Sequence, residues 1–134
     1  MKYFLDTNII IYFIKGSFPA LLKHLKKVPE ASIVLPSVVL AEIEYGARKS
    51  NDYDKTIKTY KAFTSFFQTA PFEWSASETY GKIRADLESK GCMIGANDCM
   101  IAAIVLANDG VLVTHNTKEF ERIEGLNVED WTEE

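Results

Sequence analysis

The chain has 134 residues, 47% of them hydrophobic and 25% charged, which is the composition of a folded domain with a sizeable core. Its net charge of −4 argues against a protein that coats nucleic acid through overall charge, although RNA held locally stays compatible with it. The sequence shows no signal peptide, no apolar run of the ~20 residues that span a membrane and no zinc-site cysteine spacing, so we expect one cytoplasmic domain over residues 1–134.

The first elements predicted along the chain are a strand and a helix. The stretch "KYFL" predicts a buried strand over residues 2–5 that ends at Asp6. Thr7 or Asn8 is then expected to cap a helix, which Gly16 ends. A second helix and a second strand are predicted in "SFPALLKHLKKV" and "ASIVLPS".

Two further helices are predicted in the middle of the chain. Ser37 is placed to cap the helix "VVLAEIEYGARKS", and Asn51 or Asp52 to cap a longer one. The longer helix is rich in aromatic residues, so its apolar faces fit either the core or a groove for a partner protein, and the pattern does not decide between them. These aromatic residues are Tyr60, Phe63, Phe66 and Phe67.

The last third predicts a short extended piece in "PFEW", two helices and two strands. Ser75 and Glu78 have the spacing of a capping box, and the helix they open ends before Gly91. A nearly all-apolar helix over about 97–108 is expected to be buried, and strands are expected in "VLVTHN" and "NVEDW". Short strands that alternate with helices predict an α/β domain around a parallel sheet.

Acidic side chains stand in apolar surroundings at four points of this pattern. Asp6 ends the first strand, Glu42 lies in a helix after the second strand, Asp98 opens the buried helix, and Glu119 follows a late strand together with Asn116. Each has a simpler explanation as a helix cap, a helix-end charge or a surface acid. If they converge at one sheet edge, however, each pair repels by roughly 4 kcal/mol at 4 Å in an effective dielectric of 20. Mg²⁺ or Mn²⁺ is then the natural partner.

Four stretches carry a resemblance to a known family: "FLDTNIIIY", "LAEIEYGARKS", "IGANDCMIAA" and "VTHNTKEFERIEGLNVEDW". In this order and spacing they resemble the PIN-domain ribonucleases, and within them the VapC toxins of type II (VapBC) toxin–antitoxin systems. The resemblance spans the whole chain. It implies a flavodoxin-like three-layer fold, with a central, mostly parallel sheet flanked by helices and an acidic pocket that binds Mg²⁺ or Mn²⁺.

The resemblance also implies roles for individual residues. Asp6, Glu42 and Asp98 match the acids of the family motifs and are expected to be catalytic, with Asp6 and Asp98 as metal ligands and Glu42 either a ligand or the group that orients water. At the fourth position Asn116 replaces an Asp that is common there, and Glu119 three residues later fits relatives with Asn, so either could complete the metal site. The reaction implied is hydrolysis of an RNA phosphodiester by metal-bound water.

The resemblance implies a structured RNA as the substrate. The target expected is tRNA, and within it the anticodon region of initiator tRNA, so that cleavage inhibits translation. Candidate substrate contacts are Thr7, Lys15, Lys49 and Arg84. The family also implies a homodimer and a VapB-like antitoxin that silences the enzyme. Operator DNA would be bound only through the antitoxin, and no membrane is involved.

Three other classes of protein could carry acids in these positions: a scaffold that does not cut RNA, a response-regulator domain and a phosphatase. A PIN-like domain that binds RNA or a partner without cutting is an alternative if Asn116 weakens the metal site. A response-regulator domain would need an adjacent acid pair after the first strand, and a phosphatase Asp-x-Asp motif fails at Asn8. His115 lies in the loop near the acids and is a further, weaker candidate for a catalytic part.

Overall fold

The computed structural model describes residues 1–133, and Glu134, the last residue of the expected domain, lies outside them. The strands are β1 (Tyr3–Leu5), β2 (Ile33–Pro36), β3 (Gln68–Ala70), β4 (Val111–Val113) and β5 (Asn127–Glu129). The helices are α1 (Thr7–Lys15), α2 (Pro19–Lys27), α3 (Ser37–Arg48), α4 (Tyr53–Thr64), α5 (Trp74–Ser89), α6 (Ala96–Ala107) and α7 (Thr117–Phe120). A 3-10 turn over Glu30–Ser32 precedes β2.

The five strands form one sheet in the order β3-β2-β1-β4-β5, and every described strand pairing is parallel. Connections between parallel strands are right-handed as a rule, so the helices α1 to α4, which connect β1, β2 and β3, are expected on one face of the sheet. The helices α5 and α6, which connect β3 and β4, are then expected on the other face. The predicted three-layer α/β fold is therefore confirmed. The strand order reverses between β1 and β4, and open parallel sheets bind ligands beyond the carboxyl ends of their strands at such a switch point.

The core lies where the central strands meet α6. Ile101 to Val105 of α6 are buried, as the apolar pattern predicts. The start of β4 packs closely on β1, since a Cβ at Gly110 would stand 2.3 Å from the Phe4 ring. The longest described helix, α5, has 16 residues, and none of the helices within residues 1–133 is long and apolar enough to cross a membrane.

The first helix is capped differently from the prediction. The side chain of Asp6, rather than that of Thr7 or Asn8, accepts a hydrogen bond from the Ile9 backbone N–H at 2.9 Å. Asp6 has the extended backbone typical of a cap, whereas Thr7 is already helical. The helix ends as predicted at Gly16, which adopts the left-handed conformation with a φ of 66°.

Two other predicted caps are wrong and one is confirmed. Ser37 is the first residue of α3 and makes no capping hydrogen bond, because α3 follows β2 directly and Pro36, the last residue of β2, occupies the cap position. The Ser75–Glu78 capping box does not form, since α5 already begins one residue earlier at Trp74. Asp52 caps α4, as one of the two predicted alternatives has it.

The strand next to β2 lies earlier than predicted. "PFEW" was expected to be the extended piece, whereas β3 covers Gln68–Ala70 and residues 71–73 form a connection. Two of its three residues, Gln68 and Thr69, are exposed at the sheet edge, so the strand lacks the apolar pattern that marks a buried strand. The short helix α7 was likewise not predicted.

Candidate active site

Asp6 is the buried centre of the site. It follows β1, is only 6% exposed, and accepts hydrogen bonds from the Ile9 backbone N–H and the hydroxyl of Thr114, which follows β4. Burial raises the pKa of Asp6 to about 6, and the charges of Glu42 and Asp130 add to this rise while the two hydrogen bonds oppose it. The carboxyl group is thus held in place at the switch point of the sheet.

Glu42 joins three helices of the site. It stands on α3, accepts a hydrogen bond from the Thr7 hydroxyl of α1 at 2.5 Å, and lies 3.4 Å from the side-chain amide nitrogen of Asn97 of α6. Thr7, which the sequence placed among the RNA-contacting candidates, therefore orients this carboxylate in the structure. Glu42 is half-buried and lines a cleft with Thr7 and Asn97. The simpler explanation, that Glu42 is a surface acid, therefore does not hold.

Asp98 and Glu119 form a carboxyl pair. Asp98 opens α6 and is half-buried, and it shares a hydrogen bond with Glu119 of α7. Burial raises the pKa of Asp98 to about 7, and the hydrogen bond and charge of Glu119 add to the rise, as do the charges of Glu42 and Asp6. The amide of Asn116 donates a hydrogen bond to Glu119. Glu119 therefore reaches the acidic group, and Asn116 touches it through Glu119.

The carboxyl groups of Asp6, Glu42, Asp98 and Glu119 are thus gathered at one edge of the sheet. Within residues 1–133, none of the four forms an ion pair with a lysine or an arginine. Their present side-chain positions do not form a ready-made group of three metal ligands in this part of the chain. Oxygen donors with excess negative charge nevertheless fit a hard divalent cation, and fit a soft metal or an anion poorly.

Three site residues were missed by the sequence reasoning. Thr114 holds Asp6 and Asn97 contacts Glu42, and neither contact is visible from spacing along the chain. Asp130 follows β5 and its charge raises the pKa of Asp6, so the rule that parallel strands end at one edge could have found it. The site thus contains a fifth acid beyond the four that were singled out from the sequence.

His115 is anchored at the rim of the site. Its Nδ1 lies 3.0 Å from an Asp130 carboxyl oxygen and 2.9 Å from the Thr132 hydroxyl, and its ring packs against Tyr12 and Phe18. Although burial raises the pKa of Asp130, hydrogen bonds from Thr132 and His115 outweigh it and hold that pKa below its usual value. Through these contacts His115 holds the Asp130 carboxyl group in place and favours its charged form.

Comparison with known proteins agrees with this geometry. A model of the PIN domain matches residues 3–126. Ribonuclease VapC2 of Rickettsia felis is 37% identical over 98% of both chains. The chain belongs to the VapC ribonucleases of the PIN-domain family. This VapC chain is also 36% identical to the tRNA(fMet)-specific endonuclease VapC of Shigella flexneri, over 98% of this chain and 99% of that one.

Solved VapC structures share the fold of this VapC ribonuclease. The VapBC2 complex of Rickettsia felis, solved bound to a DNA fragment from its promoter, contains a chain that matches with a TM-score of 0.92 and 36% identity, over 98% of this chain and 99% of that one. The family resemblance and the ribonuclease class expected from the motifs are therefore confirmed. The alternative of a non-cutting scaffold has no support from these relatives.

The basic residues predicted to contact RNA are Lys15, Arg84 and Lys49, and they have different surroundings in this VapC ribonuclease. Lys15 ends α1, about 13 Å along the helix axis from Asp6, so the structure does not bring it to the acids. Arg84 lines a small cleft beside the first turn of α6 and hydrogen-bonds two side chains of its own helix. The Lys49 ammonium lies 5.2 Å from the Tyr45 ring centroid, on the face of α3 that carries Glu42.

Proposed function

We propose that this VapC ribonuclease is a Mg²⁺- or Mn²⁺-dependent endoribonuclease whose metal is held by Asp6, Asp98, Glu42 and Glu119, with Asn116 beside them. The observation that carries the proposal is a group of carboxyl groups in which the neighbouring acids raise the pKa of Asp6 and of Asp98, with no lysine or arginine paired to the four acids in residues 1–133. A divalent cation would remove this repulsion. The proposal extends to one catalytic domain over residues 1–134.

The protein's own groups position the reaction. Asp6 is held from two sides by Ile9 and Thr114, so its carboxylate presents a constant oxygen to a cation. Glu42, held by Thr7 and Asn97, is placed to accept a proton from an attacking water or to bind the cation directly. When bound, the metal supplies a lowered pKa for water and neutralises charge on the phosphate oxygens.

The substrate proposed is structured RNA, with tRNA as the first candidate. Two relatives are named tRNA(fMet)-specific endonucleases, which supports initiator tRNA as the target. Within that tRNA we propose the anticodon region as the place of the cut, which would inhibit translation. Lys49 and Arg84 are the cations proposed to contact the backbone, since both lie beside elements that carry the acids. Lys15 would contact RNA only farther from the cut.

The partner proposed is a VapB-like antitoxin. Relatives were solved as VapBC complexes, some with DNA, and operator DNA would reach this chain only through the antitoxin. A cleft of about 190 Å³ lined by Phe13, Leu25, Phe63 and Phe67 gives an apolar groove for a segment of that partner. Phe63 and Phe67 both pack against the core and line this groove, although α4 ends at Thr64 and so does not extend to Phe66 and Phe67 as the sequence predicts. A homodimer is proposed as well.

The decisive test is cleavage of total bacterial tRNA by the purified chain, free of antitoxin, with Mg²⁺ or Mn²⁺. Discrete cuts are expected, and they should disappear with EDTA, in Asp6→Asn and in Glu42→Gln. Glu44→Gln is the matched control, because Glu44 lies two residues from Glu42 on the same helix but bonds Tyr53 and Arg48 instead. Cleavage that persists in EDTA or in Asp6→Asn would contradict a metal-dependent site. If tRNA stays intact and ribosomal RNA is cut in a parallel reaction, the substrate is ribosomal RNA instead of tRNA.

A further inference from the structure

Tyr45 is an exposed aromatic residue beside the acids that has no role in the function proposed above. It is 65% exposed and stands on α3, three residues after Glu42. Side chains three residues apart on a helix are neighbours, with Cβ atoms about 5–6 Å apart. An aromatic ring left in water contributes little to folding, so its place next to a catalytic carboxylate points to a ligand.

The ring forms one wall of an open cleft of about 460 Å³. Glu42 forms the polar part of the cleft together with Thr7 and Asn97, which both donate hydrogen bonds to it, and Met100 belongs to the apolar part. The cleft is therefore a continuous surface that begins at a carboxylate of the site and ends at an aromatic face. A ligand with both a charged and a flat apolar part matches these two ends.

Lys49 adds a positive charge to the same face. Glu42, Tyr45 and Lys49 follow one another at i, i+3 and i+7, and the Lys49 ammonium stands over one face of the Tyr45 ring, 5.2 Å from its centroid, so a base would stack on the other face. A carboxylate that holds a cation, an aromatic ring and an ammonium group in this order match the groups of a nucleotide strand. The phosphates would meet the cation and the ammonium, and a base would meet the ring.

We propose that Tyr45 stacks an unpaired nucleobase of the RNA next to the phosphate that is cut, with Lys49 beside a neighbouring phosphate. This inference rests on the proposed function, because it places the cut at the acids. Stacking of a base on an aromatic side chain tolerates any base. Tyr45 therefore strengthens binding of a single-stranded loop, while the choice of sequence comes from other contacts.

The binding test uses Asp6→Asn protein, so that the RNA stays intact, and a short single-stranded RNA that carries 2-aminopurine. Tyr45→Ala should raise Kd by about 5- to 150-fold, the range that corresponds to the loss of one stacked base. Tyr45→Phe and Tyr45→Trp should stay within about twofold, since they keep an aromatic face. Quenching of 2-aminopurine at one position should disappear in Tyr45→Ala and remain in Tyr45→Phe.

Phe66→Ala is the matched control. Phe66 is also 65% exposed, but it precedes β3 and so lies toward the opposite edge of the sheet from the acids. It should change Kd by less than twofold. Equal Kd for Tyr45→Ala and the parent would overturn the proposal, and so would a Tyr45→Phe defect as large as that of Tyr45→Ala. Thermal unfolding checks that each variant is folded.

Two further measurements separate base stacking by Tyr45 from the proposed ribonuclease function and from a role of Tyr45 in a dimer interface. In the otherwise unchanged chain, Tyr45→Ala should raise KM for tRNA and change kcat by less than about threefold. A chain that cuts tRNA normally with Tyr45→Ala keeps the proposed function and loses the stacking proposal alone. Light scattering tests the oligomeric state, and a loss of RNA binding that follows only from dissociation of a dimer would overturn stacking in favour of an interface.

Discussion

The hydroxyl of Thr114, at the end of β4, donates a hydrogen bond to Oδ2 of Asp6, at the end of β1, 108 positions earlier in the chain. The two strands are neighbours at the switch point of the sheet, so this one bond links the halves of the fold at the place where the acids gather. The Thr114 oxygen also accepts the Asn116 backbone N–H at 3.0 Å. Thr114 therefore connects the buried carboxyl group to the loop that leads to Glu119.

Thr114→Val tests how much this link stabilises the protein. The substitution keeps the shape of the side chain but leaves a buried carboxyl oxygen and the Asn116 N–H without their partner. The free energy of unfolding should fall by about 1–3 kcal/mol. Urea denaturation measures it, and Thr59→Val is the control, because exposed Thr59 bonds only its own helix backbone and should change stability by less than about 0.5 kcal/mol. Equal effects at the two positions would contradict the role of Thr114.

Asp6→Asn should stabilise the metal-free protein in a pH-dependent way. The pKa of Asp6 is raised from 3.8 to about 6 in the folded state, so the folded protein binds this proton more tightly than the unfolded chain. The contribution of Asp6 to stability therefore falls as the pH rises from about 4 to about 6 and then stays low. A rise of this size corresponds to about 3 kcal/mol.

The measurement is the difference in unfolding free energy between Asp6→Asn and the parent, both in EDTA. Asn keeps the capping oxygen, so the two proteins should be equally stable near pH 4, and the variant should be more stable by about 3 kcal/mol at pH 7.5. Asp86→Asn is the control, since Asp86 forms an exposed ion pair with Lys90 on α5. A difference that does not change with pH would rule out burial as the cause.

The positions of the acids that gather at the sheet edge could be predicted in part, because three of them lie at a strand end or in the first turns of a helix, which local pattern reveals. Asp6, Glu42 and Asp98 are found in this way and their catalytic role stays a prediction, whereas the sequence leaves open whether Glu119 reaches the site. The contact between Thr7 and Glu42 could not be predicted, since it joins residues 35 positions apart through the packing of two helices. The edge strand β3 was misplaced because its exposed side chains carry no burial pattern.

Glu119→Gln tests whether the carboxyl pair belongs to the metal site. The variant keeps a hydrogen-bonding side chain but removes one negative charge beside Asp98, so the pKa of Asp98 should fall toward its usual value. Affinity for Mn²⁺, measured by isothermal titration calorimetry, should fall by about 10- to 100-fold. Glu121→Gln, an exposed acid two residues away, should leave the affinity unchanged. Equal affinities for all three proteins would place Glu119 outside the metal site.

Divalent metal should stabilise the folded protein through the carboxylates it binds. Mn²⁺ at about 100 times its Kd should add about 2.7 kcal/mol to the free energy of unfolding, which raises Tm by roughly 10 °C in a chain of this size. EDTA should reverse the shift. Because Asp6 is the buried centre of the donor group, Asp6→Asn should lose most of the shift, whereas Asp86→Asn should keep it. The same rise in both variants would mean that Mn²⁺ acts elsewhere on this acidic surface, and Asp6 would then be a helix cap alone.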